Sequence, residues 1–564
     1  MTRAKPKAEV EERRLRIIPL GGLDEIGKNM TVFEYGEDMV VIDAGIMFPD
    51  DDSPGVDLLL PDYSYVVERA DKLRGIIVTH GHEDHTGAVP YLLRDLPRPV
   101  PVLASRLTLG LIGVKLEEHR ITRTKLREVK AGSHVSLGCF GFDFIQVNHS
   151  IPDALAVLVH TPVGNVLHTG DFKFDQTPID GRQTDFAALA KAGRQGVLLL
   201  LSDSTNAETP GYTRPEADVG RTLRRLFREA DQRIIVASFA SHIHRIQQVC
   251  DAAVECGRKV VVTGRSMINN TRIARELGYL HIDDSDILDA YDMGSLPPDR
   301  IVVLSTGSQG EPLSALARMA NADHKTVTVQ AGDTVVISAS PVPGNEKAVS
   351  RVINRLFRAG ATVLHKGVAD VHVSGHGAAE ELKLMLNLVK PKYFAPVHGE
   401  TRHLRAHAAH AMGMGMPDRD IFVLENGQVL ELTASGGAKI AEHVPSGVVY
   451  VDGLSVGDVG QVVLRDRQLL ASDGIAMIVV AIDTQTGKVM GDPELVMRGV
   501  VFGEGSEELV DEMRARIDKA LAKTSREGVT DHGVVKRALR ESLSQFMWER
   551  IRRRPMIIPI VMEV

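Results

Sequence analysis

The segment VTHGHEDHTG, residues 78–87, puts four side chains that can bind metal within six positions, directly behind an apolar run. That run, RGIIVTH at residues 74–80, has the composition of a buried strand. Side chains so closely spaced cannot share one face of a strand or helix, but they converge if the chain turns tightly at Gly81 and Gly87. A polar loop with incidental histidines is the alternative, which the specific HxHxDH spacing disfavours. The candidate ligands are His80, His82, Asp84 and His85.

Three further candidate ligands follow other apolar runs. VNHSIPDA contains His149, VLHTGDFKFD contains Asp171, and APVHGE contains His398. Each of these residues alone is weak evidence for a metal site, because a lone histidine after a strand is more often structural. Together they complete a set for two ions, and imidazole and carboxylate donors suit zinc or manganese. His168 lies inside the strand-like run NVLHTGD, so we expect it to be packed or hydrogen-bonded and not to be a ligand.

The composition is that of a globular protein, with 43% hydrophobic and 25% charged residues. At 564 residues the chain is too long for one core, and about three folding units are expected. No run approaches the roughly 18 apolar residues that a membrane helix needs, and the charged start MTRAKPKAEVEERRLR lacks the apolar region of a secretory signal. Three cysteines without a CxxC pair favour a reducing setting. We therefore expect a cytoplasmic protein without membrane contact.

The motifs VIDAG, HGHEDH, NHS, TGDF and PVHGE together resemble the metallo-β-lactamase superfamily. That resemblance implies an αββα sandwich with two metal ions. It implies that one ion is held by His80, His82 and His149, the second by Asp84, His85 and His398, and that Asp171 bridges both. Asp43, in VIDAG, would orient a ligand histidine from outside the ligand set.

A second group of motifs narrows the resemblance. SDSTNAE contains Asp203, VSGHGA contains His376 and PVHGE contains His398. This pattern resembles the β-CASP nucleases, which insert an α/β domain into the lactamase fold. DNA-processing members commonly have valine where His398 stands. The motifs IPLGGLDEIGKNM, DAGIMFP, THGHEDHTGAVPYLL, SDSTNAETPGYT, STGSQGEPLSAL and HVSGHG are similar to the bacterial ribonuclease J family.

The expected architecture follows from this resemblance and from the apolar patterns. Strand, polar turn and helix alternate in the middle of the chain, which is typical of a parallel α/β sheet. The last hundred residues suggest a small α+β domain. The expected parts are a metallo-β-lactamase domain in two pieces (1–215 and 359–446), a β-CASP domain (216–358), a linker (447–464) and the C-terminal domain (465–564).

The resemblance implies a ribonuclease that hydrolyses RNA phosphodiester bonds with two Zn²⁺ ions per subunit, with Mn²⁺ or Mg²⁺ as alternative activating ions. It implies 5′→3′ exonuclease action on 5′-monophosphorylated single-stranded RNA plus endonuclease action, in rRNA processing and mRNA decay. It also implies a homodimer or homotetramer and an RNA-degradation complex. The expected catalytic residues are Asp84, Asp203 and His376. The expected 5′-phosphate pocket contains His372, Ser374, Gly375, His376, Gly377, Ser238 and His242.

Other interpretations stay open at the level of sequence. A DNA-directed β-CASP nuclease is one alternative, although His398 stands where such enzymes commonly have valine. A small-molecule hydrolase would not need the long insertion at 216–358. An inactive, metal-stabilised RNA-binding subunit would typically lack ligands that are present here.

Several residues also have plain structural interpretations. His376 could bind phosphate without donating a proton, and Ser238 and His242 could cap strand ends. The arginine runs at 221–228 and 550–554 could be solvated helix surface and not RNA contacts. A net charge of −8 argues mildly against general nucleic-acid binding without excluding it, because a local groove is enough.

Overall fold

The computed structural model describes residues 13–49, 53–311, 313–342, 345–453, 455–483, 489–500, 506–526 and 532–563. The chain divides into two compact units. The first comprises the residues up to Phe48 together with Leu59–Val449. The second comprises Pro49–Leu58 together with Tyr450–Val564.

The strands and helices alternate along most of the chain. The strands are β1 (Leu15–Gly21), β2 (Met30–Tyr35), β3 (Asp38–Ile42), β4 (Leu58–Pro61), β5 (Leu73–Ile77), β6 (Val102–Ala104), β7 (Leu126–Glu128), β8 (His134–Leu137), β9 (Phe140–Gln146), β10 (Leu155–His160), β11 (Asn165–His168), β12 (Val197–Asp203), β13 (Ile234–Ala237), β14 (Lys259–Thr263), β15 (Ile301–Ser305), β16 (Thr334–Ile337), β17 (Thr362–His365), β18 (Tyr393–Val397), β19 (Gln428–Leu432), β20 (Ala438–His443), β21 (Val448–Asp452), β22 (Ser455–Val456), β23 (Ile475–Ile482), β24 (Val489–Arg498) and β25 (Met556–Glu563). The α-helices are α1 (Ser64–Glu68), α2 (Glu83–Thr86), α3 (Val89–Asp95), α4 (Arg106–Glu118), α5 (Phe186–Gln195), α6 (Ala217–Glu229), α7 (Ile243–Glu255), α8 (Arg265–Glu276), α9 (Ala315–Ala320), α10 (Glu346–Arg358), α11 (Ala379–Val389), α12 (Thr401–Gly413), α13 (Gln461–Asp473), α14 (Ser506–Arg526) and α15 (His532–Ile551).

Two sheets packed face to face form the centre of the first unit. One has the strand order β20-β19-β1-β2-β3-β5-β6-β7 and the other β18-β12-β11-β10-β9-β8. In β10, Val157 and Val159 face the core between the sheets, whereas Ala156 and Leu158 face a second core that α5 and α11 cover. Because both faces are covered, the strands read as continuous apolar runs, as in VLLLL of β12. The αββα sandwich expected from the sequence is confirmed.

The inserted region contains a separate five-stranded sheet, ordered β14-β15-β13-β16-β17 and parallel throughout. The centres of its strands are apolar, and separate hydrophobic clusters lie on its two faces. The expected parallel α/β insertion is therefore confirmed. Its strands end on polar residues, among them Ser238 after β13 and Ser338 after β16, at one edge of the sheet. Such carboxyl ends are where open α/β sheets bind ligands.

The second unit has its own small core. Strand β23 pairs antiparallel with β24 and parallel with β25, and its alternate residues from Ala476 to Ile482 pack with apolar residues of α14 and α15. This is the α+β arrangement expected for the C-terminal region. The expected linker, 447–464, is more structured than an extended connection. Strands β21 and β22 pair there, with Val451 opposite Val456, and β-branched valines favour strands.

Within the described ranges, no helix combines the length and the apolar content needed to cross a membrane.

Candidate metal centre

The candidate ligands all lie just beyond strand ends, at one end of the sandwich. His80 follows β5 of one sheet, while His149, Asp171 and His398 follow β9, β11 and β18 of the other. The turn after His80 leads into the short helix α2, which carries Asp84 and His85. Long-range sheet packing therefore brings together side chains that are hundreds of positions apart in sequence.

The first group of ligand atoms comprises His80, His82, His149 and Asp171. His82 Nδ1 lies 3.1 Å from His80 Nε2 and 3.1 Å from His149 Nε2. Asp171 Oδ2 lies 3.6 Å from His80 Nε2 and 3.7 Å from His149 Nε2. Atoms arranged tetrahedrally about a zinc ion, each about 2.1 Å from it, would be about 3.4 Å apart. The four side chains therefore fit a single cation.

The second group comprises Asp84, His85, His398 and the same Asp171. Asp84 Oδ2 lies 3.2 Å from His398 Nε2 and 3.5 Å from His85 Nε2. Asp171 Oδ2 lies 3.2 Å from His85 Nε2. One carboxylate thus faces both groups, as a ligand shared by two ions must.

Hydrogen bonds outside the two groups fix which ring nitrogen faces the ligand cluster. His85 Nδ1 donates to Asp43 Oδ2 over 2.8 Å, which leaves Nε2 for a metal. Asp43 is itself held by the backbone N–H and the hydroxyl of Thr79, at 2.8 and 2.9 Å. His149 Nδ1 donates to the Gly375 carbonyl over 2.8 Å. Such outer contacts set the tautomer and orientation of metal-bound imidazoles, and Asp43 stands where the sequence places an orienting carboxylate.

The histidines of the first group are held neutral. Burial, together with the neighbouring imidazoles, holds the pKa of His80 and of His149 well below the ordinary value. Burial also lowers the pKa of His82 to about 4. Neutral imidazole is the form that binds metal, so these side chains are prepared as ligands.

The second group combines two carboxylates with two imidazoles. Burial opposes ionisation of Asp84 and Asp171, but His85 and His398 outweigh it and hold both pKa values well below the ordinary one. In return, although burial lowers it, the pKa of His398 rises to about 10 because Asp171, Asp203 and Asp84 surround the ring. A buried group of carboxylates requires positive charge, which divalent cations supply. The charge balance as well as the spacing therefore fits metal ions.

A histidine and an aspartate lie beside the ligand groups. His376 Nδ1 donates to Asp203 Oδ2 over 2.7 Å, and Asp203 Oδ1 accepts from the Thr205 N–H and hydroxyl at 3.0 and 2.8 Å. Burial lowers the pKa of His376, but Asp203 outweighs it and raises the pKa above its ordinary value. The His376 ring centroid lies 4.9 Å from that of His149. Since Nδ1 is committed to Asp203, Nε2 is the nitrogen left to meet a substrate.

The expected phosphate-pocket residues divide into two sets. In the described part of the chain, Ser238 Oγ, His242 Nε2 and His372 Nδ1 are buried without a hydrogen-bond partner. Ser340 Oγ is in the same state, and sequence reasoning missed it. Burial holds the pKa of His242 and of His372 well below the ordinary value. His242 also caps the start of helix α7 by accepting from the Arg245 N–H at 3.2 Å, so one of its nitrogens has a structural role, on a helix and not at the strand end suggested from the sequence.

Backbone N–H groups of the SGHG segment already make hydrogen bonds within the protein. The His376 N–H donates to Ser374 Oγ over 3.2 Å, and the Gly377 N–H donates to the Phe172 carbonyl over 2.7 Å. Gly375 packs against the His149 ring. These two backbone N–H groups are therefore not free to bind a phosphate, because each already has an acceptor within the protein.

Two other polar residues at the site were not singled out from the sequence. The Asn29 amide lies 3.1 Å from the Asp84 carbonyl and 3.4 Å from Asp84 Oδ2. Thr205 Oγ1 lies 2.8 Å from His398 Nδ1. Both stand inside motifs that point to the family, IGKNM and SDSTN, and that proximity is the only signal the sequence offers.

The basic runs are largely neutralised by neighbours. Arg221 pairs with Asp218, and Arg225 pairs with Glu229 over 3.1 Å. Arg224 pairs with Glu255 over 2.9 Å. In the C-terminal run, Arg550 pairs with Glu512 and the guanidinium of Arg554 lies over the Trp548 ring. These contacts favour a solvated helix surface over an RNA contact.

The fold and the donor geometry together define a hydrolase of the metallo-β-lactamase superfamily with an inserted β-CASP domain. Family models match nearly the whole chain. They describe the metallo-β-lactamase superfamily (residues 23–224), the ribonuclease J β-CASP domain (231–356), a Zn-dependent metallo-hydrolase RNA specificity domain (361–423) and the ribonuclease J C-terminal domain (462–564).

Three curated relatives align with this chain over nearly their full length. Ribonuclease J of Mycolicibacterium smegmatis is 46% identical over 98% of this chain and 97% of that protein. Ribonuclease J2 of Bacillus subtilis is 44% identical over 98% and 99%, and ribonuclease J of Thermus thermophilus is 44% identical over 97% and 95%. The chain belongs to the ribonuclease J family. It is therefore a metal-dependent ribonuclease that binds RNA, and the resemblance stated from sequence is confirmed.

A solved structure shows the same fold in a distant protein. The structure, of a protein of unknown function from Enterococcus faecalis V583, matches with a TM-score of 0.53 at 15% identity, over 74% of this chain and 100% of that one. At this identity the likeness extends to the fold alone.

Replacing Asp171 with asparagine should weaken the binding of both ions, because the two ligand groups share its carboxylate. Loss of an outer contact to a metal ligand lowers the metal affinity roughly 10- to 100-fold. Loss of a direct ligand should lower it by at least as much. His398→Ala should weaken only one ion, and His134→Ala, an exposed histidine outside both groups, should weaken neither. Elemental analysis after dialysis against a weak chelator measures this. Wild-type metal content in the Asp171→Asn protein would contradict the shared ligand.

Gly375→Ala should disturb only the first group. A Cβ there would lie 2.7 Å from His149 Cε1 and 2.9 Å from His149 Nδ1, so the ring must move off its hydrogen bond. We expect about 10- to 100-fold weaker binding of one ion. Gly113→Ala is the control, since a Cβ at that position in α4 meets nothing within 4 Å. Competition titration with a chromogenic chelator would show this, and equal affinities in the two variants would refute it.

Proposed function

We propose that this centre hydrolyses RNA phosphodiester bonds with two zinc ions. The observation that carries the proposal is the Asp171 carboxylate, whose Oδ2 faces both groups of ligand atoms. When bound, two ions would supply Lewis acidity, charge neutralisation and an activated water. His80, His82 and His149 would hold one ion, and Asp84, His85 and His398 the other. Manganese or magnesium would suit the carboxylate-rich second group as activating ions.

The proposed general acid is His376, positioned by Asp203. Breaking a phosphodiester leaves a negatively charged oxygen, which departs more easily when it receives a proton. Asp203 raises the pKa of His376 against the effect of burial, which favours the protonated ring that a general acid needs. This contribution is present below that pKa and is lost as the pH rises through it. Asp84 acts in the same step as a ligand, not as a proton carrier.

The proposed mode of action is 5′→3′ exonuclease cleavage with a preference for 5′-monophosphate ends, together with endonuclease cleavage. Four buried polar atoms without partners support it, on Ser238, His242, Ser340 and His372. Leaving buried donors unpaired costs free energy, and a ligand that reaches these atoms would relieve that cost. A terminal phosphate offers the acceptor oxygens that hydroxyl and imidazole N–H groups need. RNA maturation and decay are the processes that such an enzyme serves.

The oligomeric state and membership of an RNA-degradation complex stay predictions.

His376→Ala should separate the acid role from simple phosphate binding. An acid role predicts that kcat falls by about 100- to 10,000-fold with both ions retained, while KM changes little. Phosphate binding predicts a raised KM with kcat nearly intact. Steady-state cleavage of a 5′-monophosphorylated oligoribonucleotide at full metal loading measures both constants. An unchanged kcat would rule out the acid role.

A substrate series should report the preference for the 5′ end. We expect 5′-monophosphorylated RNA to be degraded faster than 5′-triphosphorylated, 5′-hydroxyl or matched DNA substrates, with mononucleotides released. Ser238→Ala should lower kcat/KM for the monophosphate substrate by about 10-fold, the cost of one hydrogen bond to a charged group. It should leave cleavage of a circular RNA unchanged. Ser350→Ala, exposed on α10, is the control. Equal rates on all RNA ends would contradict the pocket, and faster degradation of DNA would contradict the substrate.

A further inference from the structure

Glu381, in the first turn of α11, is a fully buried carboxylate at 0% exposure. It accepts hydrogen bonds from the backbone N–H groups of Phe174 at 2.7 Å, Thr213 at 2.6 Å and Ala378 at 2.8 Å. In the ranges that the structure describes, no lysine or arginine forms an ion pair with it. Three N–H donors and the positive end of a helix therefore compensate the buried charge.

The three donors come from three different segments, and each segment carries a residue of the site. Phe174 lies just beyond Asp171, the carboxylate shared by the two ligand groups. Thr213 lies in the loop that leaves β12 after Asp203. Ala378 lies two positions beyond His376. Glu381 thus accepts a hydrogen bond from each of the three segments that carry these site residues.

Further contacts connect the same segments to the main chain of His376. The His376 carbonyl accepts from the Thr213 hydroxyl at 2.7 Å and from the Asn206 amide at 2.9 Å. Gly377 packs directly over Glu381, since a Cβ there would lie 3.1 Å from the Glu381 Cβ. The loop that carries His376 therefore packs on Glu381 and accepts a hydrogen bond from Thr213. The backbone N–H of Thr213 in turn donates to Glu381.

We propose that Glu381 is a positioning residue that sets the location of His376 against Asp203 and the metal ligands. The inference rests on the proposed acid role of His376. A carboxylate is suited to the task because its two oxygens accept from three N–H groups at once. A glutamine has one accepting oxygen, and its NH₂ group would face at least one of the N–H donors. The loop must then shift, and a displacement of about 1 Å in a catalytic group costs on the order of 100-fold in rate.

The test compares Glu381→Gln with Glu380→Gln. Glu380 is the adjacent residue, and its side chain is partly exposed and pairs with Lys383 at 2.7 Å. At full metal loading, Glu381→Gln should lower kcat by about 10- to 100-fold and change KM by less than about 2-fold. Glu380→Gln should leave both constants unchanged. Metal content should be the same in all three proteins, because Glu381 contacts no ligand side chain. An unchanged kcat in Glu381→Gln would overturn the proposal.

A double-mutant cycle with His376→Ala distinguishes positioning from a general structural role. If Glu381 acts through His376, Glu381→Gln should lower the residual kcat of the His376→Ala protein by less than about 2-fold. An equal loss in both backgrounds would overturn the inference. His376→Ala alone tests the acid role, so a failure of that role is seen separately, as an unchanged kcat in the single variant.

If circular dichroism shows that the Glu381→Gln protein does not fold, a second variant, Ala378→Pro, tests the same proposal. Ala378→Pro removes one of the three N–H donors, and although the φ of −80° at Ala378 is that of proline, the ring Cδ takes the place of the proton and displaces the Glu381 carboxylate 2.8 Å away. It should lower kcat in the same way and show the same lack of effect in the His376→Ala background. Full activity of a folded Ala378→Pro protein would overturn the proposal.

Discussion

One imidazole, that of His398, lies within hydrogen-bonding distance of three carboxylates, of which Asp171 and Asp203 are buried and Asp84 is partly exposed. Its Nε2 is 3.2 Å from Asp84 Oδ2, and its Nδ1 is 3.4 Å from oxygens of both Asp171 and Asp203. Carboxylates removed from water cost several kcal/mol each unless positive charge compensates them. Protons on the histidines can do so, and divalent cations can do so more fully. The need to neutralise this buried charge is the constraint to which the rest of the site is fitted.

The sandwich meets that constraint by bringing strand ends together and locking them. His398 has a φ of 56° and Asp43 a φ of 62°, a backbone region that costs a non-glycine residue about 1–3 kcal/mol. Neighbouring contacts compensate for this strain. Thr205 holds His398 at 2.8 Å, and Thr79 holds Asp43 from both its backbone and its side chain. The strained residues stand beside the ligand cluster, where a small displacement would misplace an imidazole.

The extent to which the sequence predicted the site depends on how local each signal is. The cluster at residues 80–85 is readable because its ligands are close in sequence and flanked by glycines. His149, Asp171 and His398 could be assigned because each follows a recognisable apolar strand. The pairing of His376 with Asp203, 173 positions apart, came from family resemblance, since no local pattern encodes it. The αββα sandwich also came from family resemblance, whereas the continuous apolar runs indicated only strands that are covered on both faces.

Other features lay beyond sequence reasoning because they depend on which atoms are already satisfied. The N–H of Gly377 looks free to bind phosphate until the Phe172 carbonyl is found 2.7 Å away. Ser340 looks ordinary until its hydroxyl is found buried without a partner. Glu381 looks like a helical surface residue beside Glu380, and only the packing of two distant segments, at Phe174 and Thr213, on the start of α11 shows that it is buried. Hydrogen-bond accounting of this kind requires the folded chain.

Anomalous diffraction at the zinc edge, from crystals of the zinc-loaded protein, tests the shared-carboxylate centre most directly. Two ions held by the two ligand groups predict two peaks about 3.5–4 Å apart, with the carboxylate of Asp171 between them. A single peak, or a second peak away from Asp171, would contradict the two-ion centre on which the proposed chemistry depends.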